Sequence, residues 1–295
     1  ALTAAPVAAQ QLDPSTQAFV DGLQGSPPIY TLAPDAARAV LSGAQKSVKV
    51  TLLEVSSQDR VLNVGPKGRT NIRMLRPAGA QGTLPIVVYV HGGGWVLGDK
   101  ETHDRLVREL AVGANAVIVF VDYDRSPESR YPVAIEQSYA VTKYVEQHAA
   151  EFGADPNRVA IAGDSVGGNM TAVVALMAKE RKGPNIVAHQ YLPDASKRSD
   201  IHASPLTASV EQLRGLPQAL VLVDENDVLR DEGEAYARKL AQADVRVTSL
   251  RYNGTIHDFM LLNPIAETPA VRAAVDQASS YLRIVFASRR LASSK

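Results

Sequence analysis

The stretch from Val159 to Ala178 commits this chain to a strand, a tight turn and a helix in immediate succession. Val159-Ala160-Ile161-Ala162 is an apolar, partly β-branched run that enters Gly163-Asp164-Ser165-Val166-Gly167, and Asn169 to Ala178 is a helix-forming run. A G-x-S-x-G pentapeptide in that setting reads as a nucleophile elbow. The serine stands on a strained turn that projects its hydroxyl from the sheet edge, and Gly163 and Gly167 let strand and helix approach closely. Such a pentapeptide arises by chance often enough that its partners must carry the assignment.

The rest of the chain repeats the alternation. Helical patterns are predicted over 13–45, where Asp13-Pro14 caps a first helix and Asp35 opens a second through Leu41. Strands are predicted at Val48–Val55, Thr70–Leu75, Ile86–Val90, Ala116–Val121, Ala219–Val223 and Arg246–Tyr252. Helices are predicted at Arg105–Val112, Tyr131–Phe152, Asp231–Ala243 and Val271–Phe286. Strands alternating with helices argue for an α/β protein with a mainly parallel sheet covered on both faces. The short connections between the first strands predict antiparallel pairing there. No internal repeat or low-complexity linker is present.

Composition removes several functional classes. Across 295 residues, 31 basic and 31 acidic side chains balance, so no basic face is implied and nucleic acid is not an expected partner. No apolar run approaches the ~18 residues of a membrane span, and a soluble protein is expected. The absence of cysteine excludes a thiolate nucleophile and a Cys-ligated zinc site. Ala1–Gln10 lacks a basic start and a long apolar core, so it does not read as an intact signal peptide. A cytoplasmic location is expected, with a periplasmic or secreted one as the alternative.

A serine hydroxyl needs a base to take its proton and a third group to orient that base. In open α/β sheets such groups gather on loops beyond the carboxyl ends of strands. One such loop, Asp224 to Glu232, offers several carboxylates. A second, Asn253-Gly254-Thr255-Ile256-His257-Asp258-Phe259, follows the last strand. His257 is the histidine placed to act as base. His103, His148, His189 and His202 read as surface or internally satisfied residues. The chain order serine, acid, histidine is that of the α/β-hydrolases. His91-Gly92-Gly93-Gly94-Trp95 follows the Ile86–Val90 strand, and its bare backbone N–H groups suit a tetrahedral oxyanion. One missing donor of that kind typically costs about 2.7–4 kcal/mol of barrier. His91 reads as a residue that shapes this loop. His91, Glu101 and His103 lack a helix-face ligand spacing, so neither metal nor cofactor is expected.

With these motifs the chain resembles the hormone-sensitive-lipase-like branch of the α/β-hydrolases, bacterial carboxylesterases included. The likeness rests on HGGGW at 91–95, Val121-Asp122-Tyr123 with Ser126-Pro127-Glu128 and Tyr131-Pro132, GDSVGGN at 163–169, DVLRDEGEAYA at 227–237 and HDF at 257–259. The resemblance implies an α/β-hydrolase fold of about eight strands, with residues 1–45 as N-terminal cap helices and 46–295 as the catalytic domain. It implies a serine carboxylic-ester hydrolase acting on small or short-to-medium acyl esters. The implied roles are Ser165 as nucleophile, His257 as general base and Asp227 as orienting carboxylate. Asp224 and Glu225 are rivals for the acid, and Asp231 is the expected helix cap. The amides of Gly93, Gly94 and Val166 are the implied oxyanion donors, and Asp164 beside the nucleophile belongs to the pattern. An amidase or acyltransferase on the same triad, or a non-catalytic binding protein on the same fold, are the alternatives. Pairing into a homodimer through the late strand and closing helix is a further implication.

Two departures stand out. Val166 occupies a position where a smaller residue is usual. Between His189 and Gln190 a few dozen residues of the pattern are absent, including most of a central strand and a second cap segment expected near 189–200. The favoured expectation is that a segment belongs there. A shortened strand over Ile186–Leu192 is the alternative.

Overall fold

The apolar runs pair into one eight-stranded sheet in the computed structural model, which describes residues 11–191 and 200–292. The strands are β1 (Val55–Leu62), β2 (Thr70–Pro77), β3 (Leu84–Val90), β4 (Val117–Asp122), β5 (Ala154–Gly163), β6 (Ile186–Tyr191), β7 (Gln218–Asn226) and β8 (Val247–Ile256). Their spatial order is β1-β2-β4-β3-β5-β6-β7-β8. β2 runs antiparallel to both neighbours, and every other pair is parallel. The α-helices are α1 (Pro14–Gly22), α2 (Pro34–Lys46), α3 (Asp104–Ala114), α4 (Val133–Gln147), α5 (Val166–Glu180), α6 (Val210–Leu213), α7 (Arg230–Gln242) and α8 (Pro269–Ala292).

Strand side chains alternate between two helical layers. Val87, Ile118 and Phe120 pack with Leu106 and Leu110 of α3 and with Val275 and Leu282 of α8. Their neighbours Val88, Val119 and Ile161 pack on the opposite face against Val141 of α4 and Val173 of α5. Every residue of β3 is buried, as a strand covered on both sides requires.

Two sequence expectations need correction. The first strand lies at Val55–Leu62 rather than Val48–Val55. β1 is an edge strand that pairs only with β2, and most of its side chains face water, so it carries no apolar run. The second helix opens at Pro34 behind Ala33, with Asp35 inside its first turn, and runs to Lys46. The interior of the sheet is continuous at β6. Ile186–Tyr191 is a single strand that reaches β5 on one side and β7 on the other, with Gln190 opposite Leu220 and Tyr191 opposite Val221. This pairing describes β6 and leaves open the expected segment between His189 and Gln190; Leu192, Pro193 and Asp194 lie outside the described residues.

The N-terminal helices sit over the carboxyl end of the sheet. Asp13 caps α1 by accepting from the Ser15 and Thr16 amides, and its own amide donates to the Gly254 carbonyl at 3.0 Å. Gln45 of α2 donates to the Leu261 carbonyl at 2.9 Å and to the Thr102 carbonyl. Arg38 donates to the carbonyls of Val96 and Ser126 and forms an ion pair with Glu128. These contacts tie α1 and α2 to both loops that carry the candidate chemistry.

Candidate active site

The elbow forms where β5 turns into α5. Ser165 has φ 51° and ψ −124°, a left-handed conformation that a β-carbon disfavours. The turn is held by Gly167 N–H donating to the Asp164 carbonyl at 2.7 Å. The two glycines are required by contact rather than by flexibility. A Cβ on Gly167 would lie 1.9 Å from the Val90 carbonyl oxygen, and one on Gly163 would lie 2.3 Å from the same atom. Gly167→Ala is therefore expected to push the elbow off the end of β3 and to destabilise the fold by about 2–3 kcal/mol. A thermal melt checks this, and an unchanged midpoint would contradict the packing argument.

The loops after β7 and β8 bring the remaining groups to Ser165. Ser165 Oγ lies 2.8 Å from His257 Nε2. His257 Nδ1 lies 2.9 Å from Asp227 Oδ2, and Asp227 Oδ1 accepts from the Leu229 amide. A carboxylate only accepts, so Nδ1 carries the proton and Nε2 keeps a lone pair toward the serine hydroxyl. Ser165 and the Asp227 side chain are buried, whereas the imidazole edge stays 40% exposed. Burial works against charge on His257, and the carboxylates of Asp258 and Asp227 more than offset it, raising its pKa above the ordinary 6.5.

Of the rival acids, neither touches the imidazole. Glu225 accepts from the Gly254 amide at 2.7 Å and so ties β7 to the β8 loop. Asp224 is buried beside the trio and makes no bond to it. Asp231 does not cap α7. Leu229 holds the cap position, and Asp231 sits in the first turn against Arg230 at 2.8 Å.

The glycine loop takes its shape from positive φ at Gly93 (100°) and Gly94 (63°), with Val96 and Leu97 amides donating to the Gly93 carbonyl. Among the described residues, the Gly93, Gly94 and Val166 amides have no backbone carbonyl partner outside regular elements. His91 lies beneath the loop, stacked on Tyr123 at 4.0 Å, with Nδ1 2.8 Å from the Gly92 carbonyl. Burial pushes its pKa down to about 3, so it is a neutral donor to that carbonyl. Val166 is fully buried and points its branched side chain into the α4–α5 layer. Gly92 leaves room for a carboxylate, since a Cβ there would meet Asp164 Oδ2 at 2.2 Å. That carboxylate accepts from Tyr89 Oη at 2.7 Å and faces His103 Nε2 at 3.2 Å. His103 thus belongs to the support of the elbow, a role its lone position in the sequence does not signal.

Among the described residues, one group of three has metal-ligand atoms close together, namely Asp224, Asp227 and His257, within 4.8 Å of one another. Asp227 and His257 already engage each other there, so the trio is an acid–base cluster. A cleft of about 230 Å³ opens beside the glycine loop, lined by Gly94, Trp95, Pro132, Ile135 and Ala203. No described helix is long and apolar enough to cross a membrane.

The fold and this constellation define an α/β-hydrolase. The sequence profile of the α/β-hydrolase fold family matches residues 87–190 and 185–261, and the chain belongs to that family, in its hormone-sensitive-lipase-like branch. It is 34% identical to carboxylesterase NlhH of Mycobacterium tuberculosis, covering 90% of this chain and 95% of that one. It is 36% identical to a putative α/β hydrolase, R526, of Acanthamoeba polyphaga mimivirus, covering 90% and 86%. Among solved structures it resembles a thermostable esterase from Pseudomonas putida ECU1011, with TM-score 0.89 and 46% identity over 96% of this chain and 99% of that one. The NlhH alignment spans 308 positions, more than the 295 residues here, so that relative carries residues without a counterpart in this chain. The profile match divides at 185–190, on β6, which is where the sequence pattern breaks.

Proposed function

We propose that this chain hydrolyses carboxylic esters of small or short-to-medium acyl groups through an acyl-enzyme on Ser165. The observation that carries the reading is the unbroken relay from Ser165 Oγ through both nitrogens of His257 to Asp227, with links of 2.8 and 2.9 Å. His257 Nε2 takes the hydroxyl proton as Oγ attacks the ester carbonyl carbon. Negative charge develops on the carbonyl oxygen and is met by the amides of Gly93, Gly94 and Val166. Collapse expels the alkoxide, which leaves as the alcohol with the proton from His257. Water then enters, His257 takes one of its protons, and the acid departs. The N-terminus of α5 adds its partial positive charge at the oxyanion.

In this reading α1 and α2 form a cap, because their bonds reach the glycine loop and the His257 loop together. The cleft of about 230 Å³ suits a compact acyl or alcohol group. Hydrolysis of short nitrophenyl esters, measured against matched nitroanilides, tests the reaction class. The ester is expected to be the far faster substrate, and equal rates would favour an amidase.

The base must be neutral to accept a proton. Its raised pKa means that kcat/KM climbs with pH along a limb centred above pH 6.5 and levels off once His257 is deprotonated. A rate profile from acid to alkaline pH measures the limb, and a midpoint at or below 6.5 would contradict the clustered carboxylates as its cause.

A further inference from the structure

One buried acid at the site has no task in the mechanism above. Asp224 lies near the end of β7 at 4% exposure, and its Oδ1 has no hydrogen-bond partner among the described residues. A buried carboxyl left unpaired is costly, so its position calls for a reason. A register shift in the β7–β8 pairing falls between Asp224 and Asn226. Bulges of that kind re-aim side chains beside functional sites. Here a carboxylate oxygen of Asp224, one of Asp227 and an imidazole nitrogen of His257 all lie within 4.8 Å of one another.

We propose that Asp224 is a standby acid of the triad, a positioning residue able to replace Asp227 as the partner of His257 Nδ1. The charged and titratable groups around it are Asp227 just past the end of its own strand, His257 and Asp258 on the loop after β8, and Asp164 across the same cleft. Burial first, and then the charge of Asp227, raises the Asp224 pKa well above the carboxylate range. Two carboxyls this close do not readily ionise together, so Asp224 keeps its proton while Asp227 is charged. Removing the Asp227 carboxylate removes that repulsion and opens space on the histidine. The Asp224 proton then passes to solvent, and its carboxylate accepts the Nδ1–H of His257.

The test compares kcat on a nitrophenyl ester for Asp227→Ala and for Asp227→Ala combined with Asp224→Asn, each checked for folding by circular dichroism. Loss of a triad acid typically lowers kcat by about 10⁴-fold. Asp227→Ala is expected to lose only about 10²-fold, and the double variant is expected to lose the full ~10⁴-fold. The single variant is also expected to gain activity with rising pH along the ionisation of Asp224, a limb that the double variant lacks. Equal kcat and identical pH profiles in the two would overturn the proposal. Asp227→Ser provides the same comparison if the alanine variant does not fold. The inference rests on the triad reading. Full activity in Ser165→Ala would remove that reading itself, whereas equality of the two acid variants would remove only the standby role.

Discussion

Ser165→Ala is expected to lower kcat for ester hydrolysis about 10⁶-fold while leaving the fold and substrate binding largely intact. The effect is large because no second nucleophile is poised at the base. His257 Nε2 faces Ser165 Oγ at 2.8 Å, and the other neighbours of the imidazole are carboxylates held by burial or by Asp227's own bonds. The substitution removes only a hydroxyl from a buried turn, and alanine meets the same left-handed backbone restriction as serine. The residual rate comes from the oxyanion amides and from binding. Steady-state kinetics on a nitrophenyl ester, with far-ultraviolet circular dichroism as a check on folding, measures it. A loss of less than about 10²-fold would place the chemistry elsewhere.

His103→Leu is expected to cost about 3–5 kcal/mol of stability, because it strands the Asp164 charge in the core. The argument starts from hydrogen-bond partners. His103 Nδ1 lies 3.1 Å from the Asp99 carbonyl and Nε2 lies 3.2 Å from Asp164 Oδ2. Nδ1 also lies 3.0 Å from Thr102 Oγ1, and the two accepting partners, the Asp164 carboxylate above all, favour the imidazolium. Burial lowers the His103 pKa, but the Asp164 charge and bond more than reverse this, and the net direction is up. Burial likewise raises the Asp164 pKa, and the His103 charge wins, so the net direction there is down.

The pH dependence follows from those directions. The stabilisation from His103 is full below about pH 6.5, its unfolded value, and fades as pH rises through the higher folded value. The stabilisation from Asp164 is present above about pH 3.9, its unfolded value, and is lost as pH falls through the lower folded value. The pair is therefore intact across the range in between. His103→Leu should lower the melting midpoint there by roughly 6–15 °C, and the gap to the unaltered protein should narrow at alkaline pH. A drop of under about 2 °C at pH 6 would show that the pair contributes little.

How much of this could be read in the sequence depends on how local each signal is. Ser165 and its glycines were legible because strand, turn and helix follow one another without interruption. His257 was legible because it stands just past the last strand, and β3 because burial on both faces writes a continuous apolar run. β1 was misplaced by several residues, since an edge strand with exposed side chains leaves no pattern and the apolar Val48–Val55 run beside it does. The choice among Asp224, Glu225 and Asp227 was not decidable from spacing. All three fall within four residues at the end of β7, beside a register shift against β8, and Asp227 is the one that meets the imidazole. Asp231 departs from the expected cap because the helix opens two residues before it, at the Leu229 cap position. The His103–Asp164 pair joins residues 61 positions apart, and nothing local to either announces it. At β6 the sequence pattern lacks residues that relatives carry, and the strand still forms. Six residues suffice to bridge β5 and β7 once backbone pairing is available on both sides.

The central claim is a covalent acyl-enzyme on Ser165. Rapid quenching of the protein during turnover of p-nitrophenyl acetate, followed by mass analysis of its peptides, tests it most directly. The account requires one acetyl group on the peptide that carries Ser165, and none in Ser165→Ala. An acetyl group on another residue during turnover, or turnover with no acylated peptide when deacylation is slowed by cold, would contradict it.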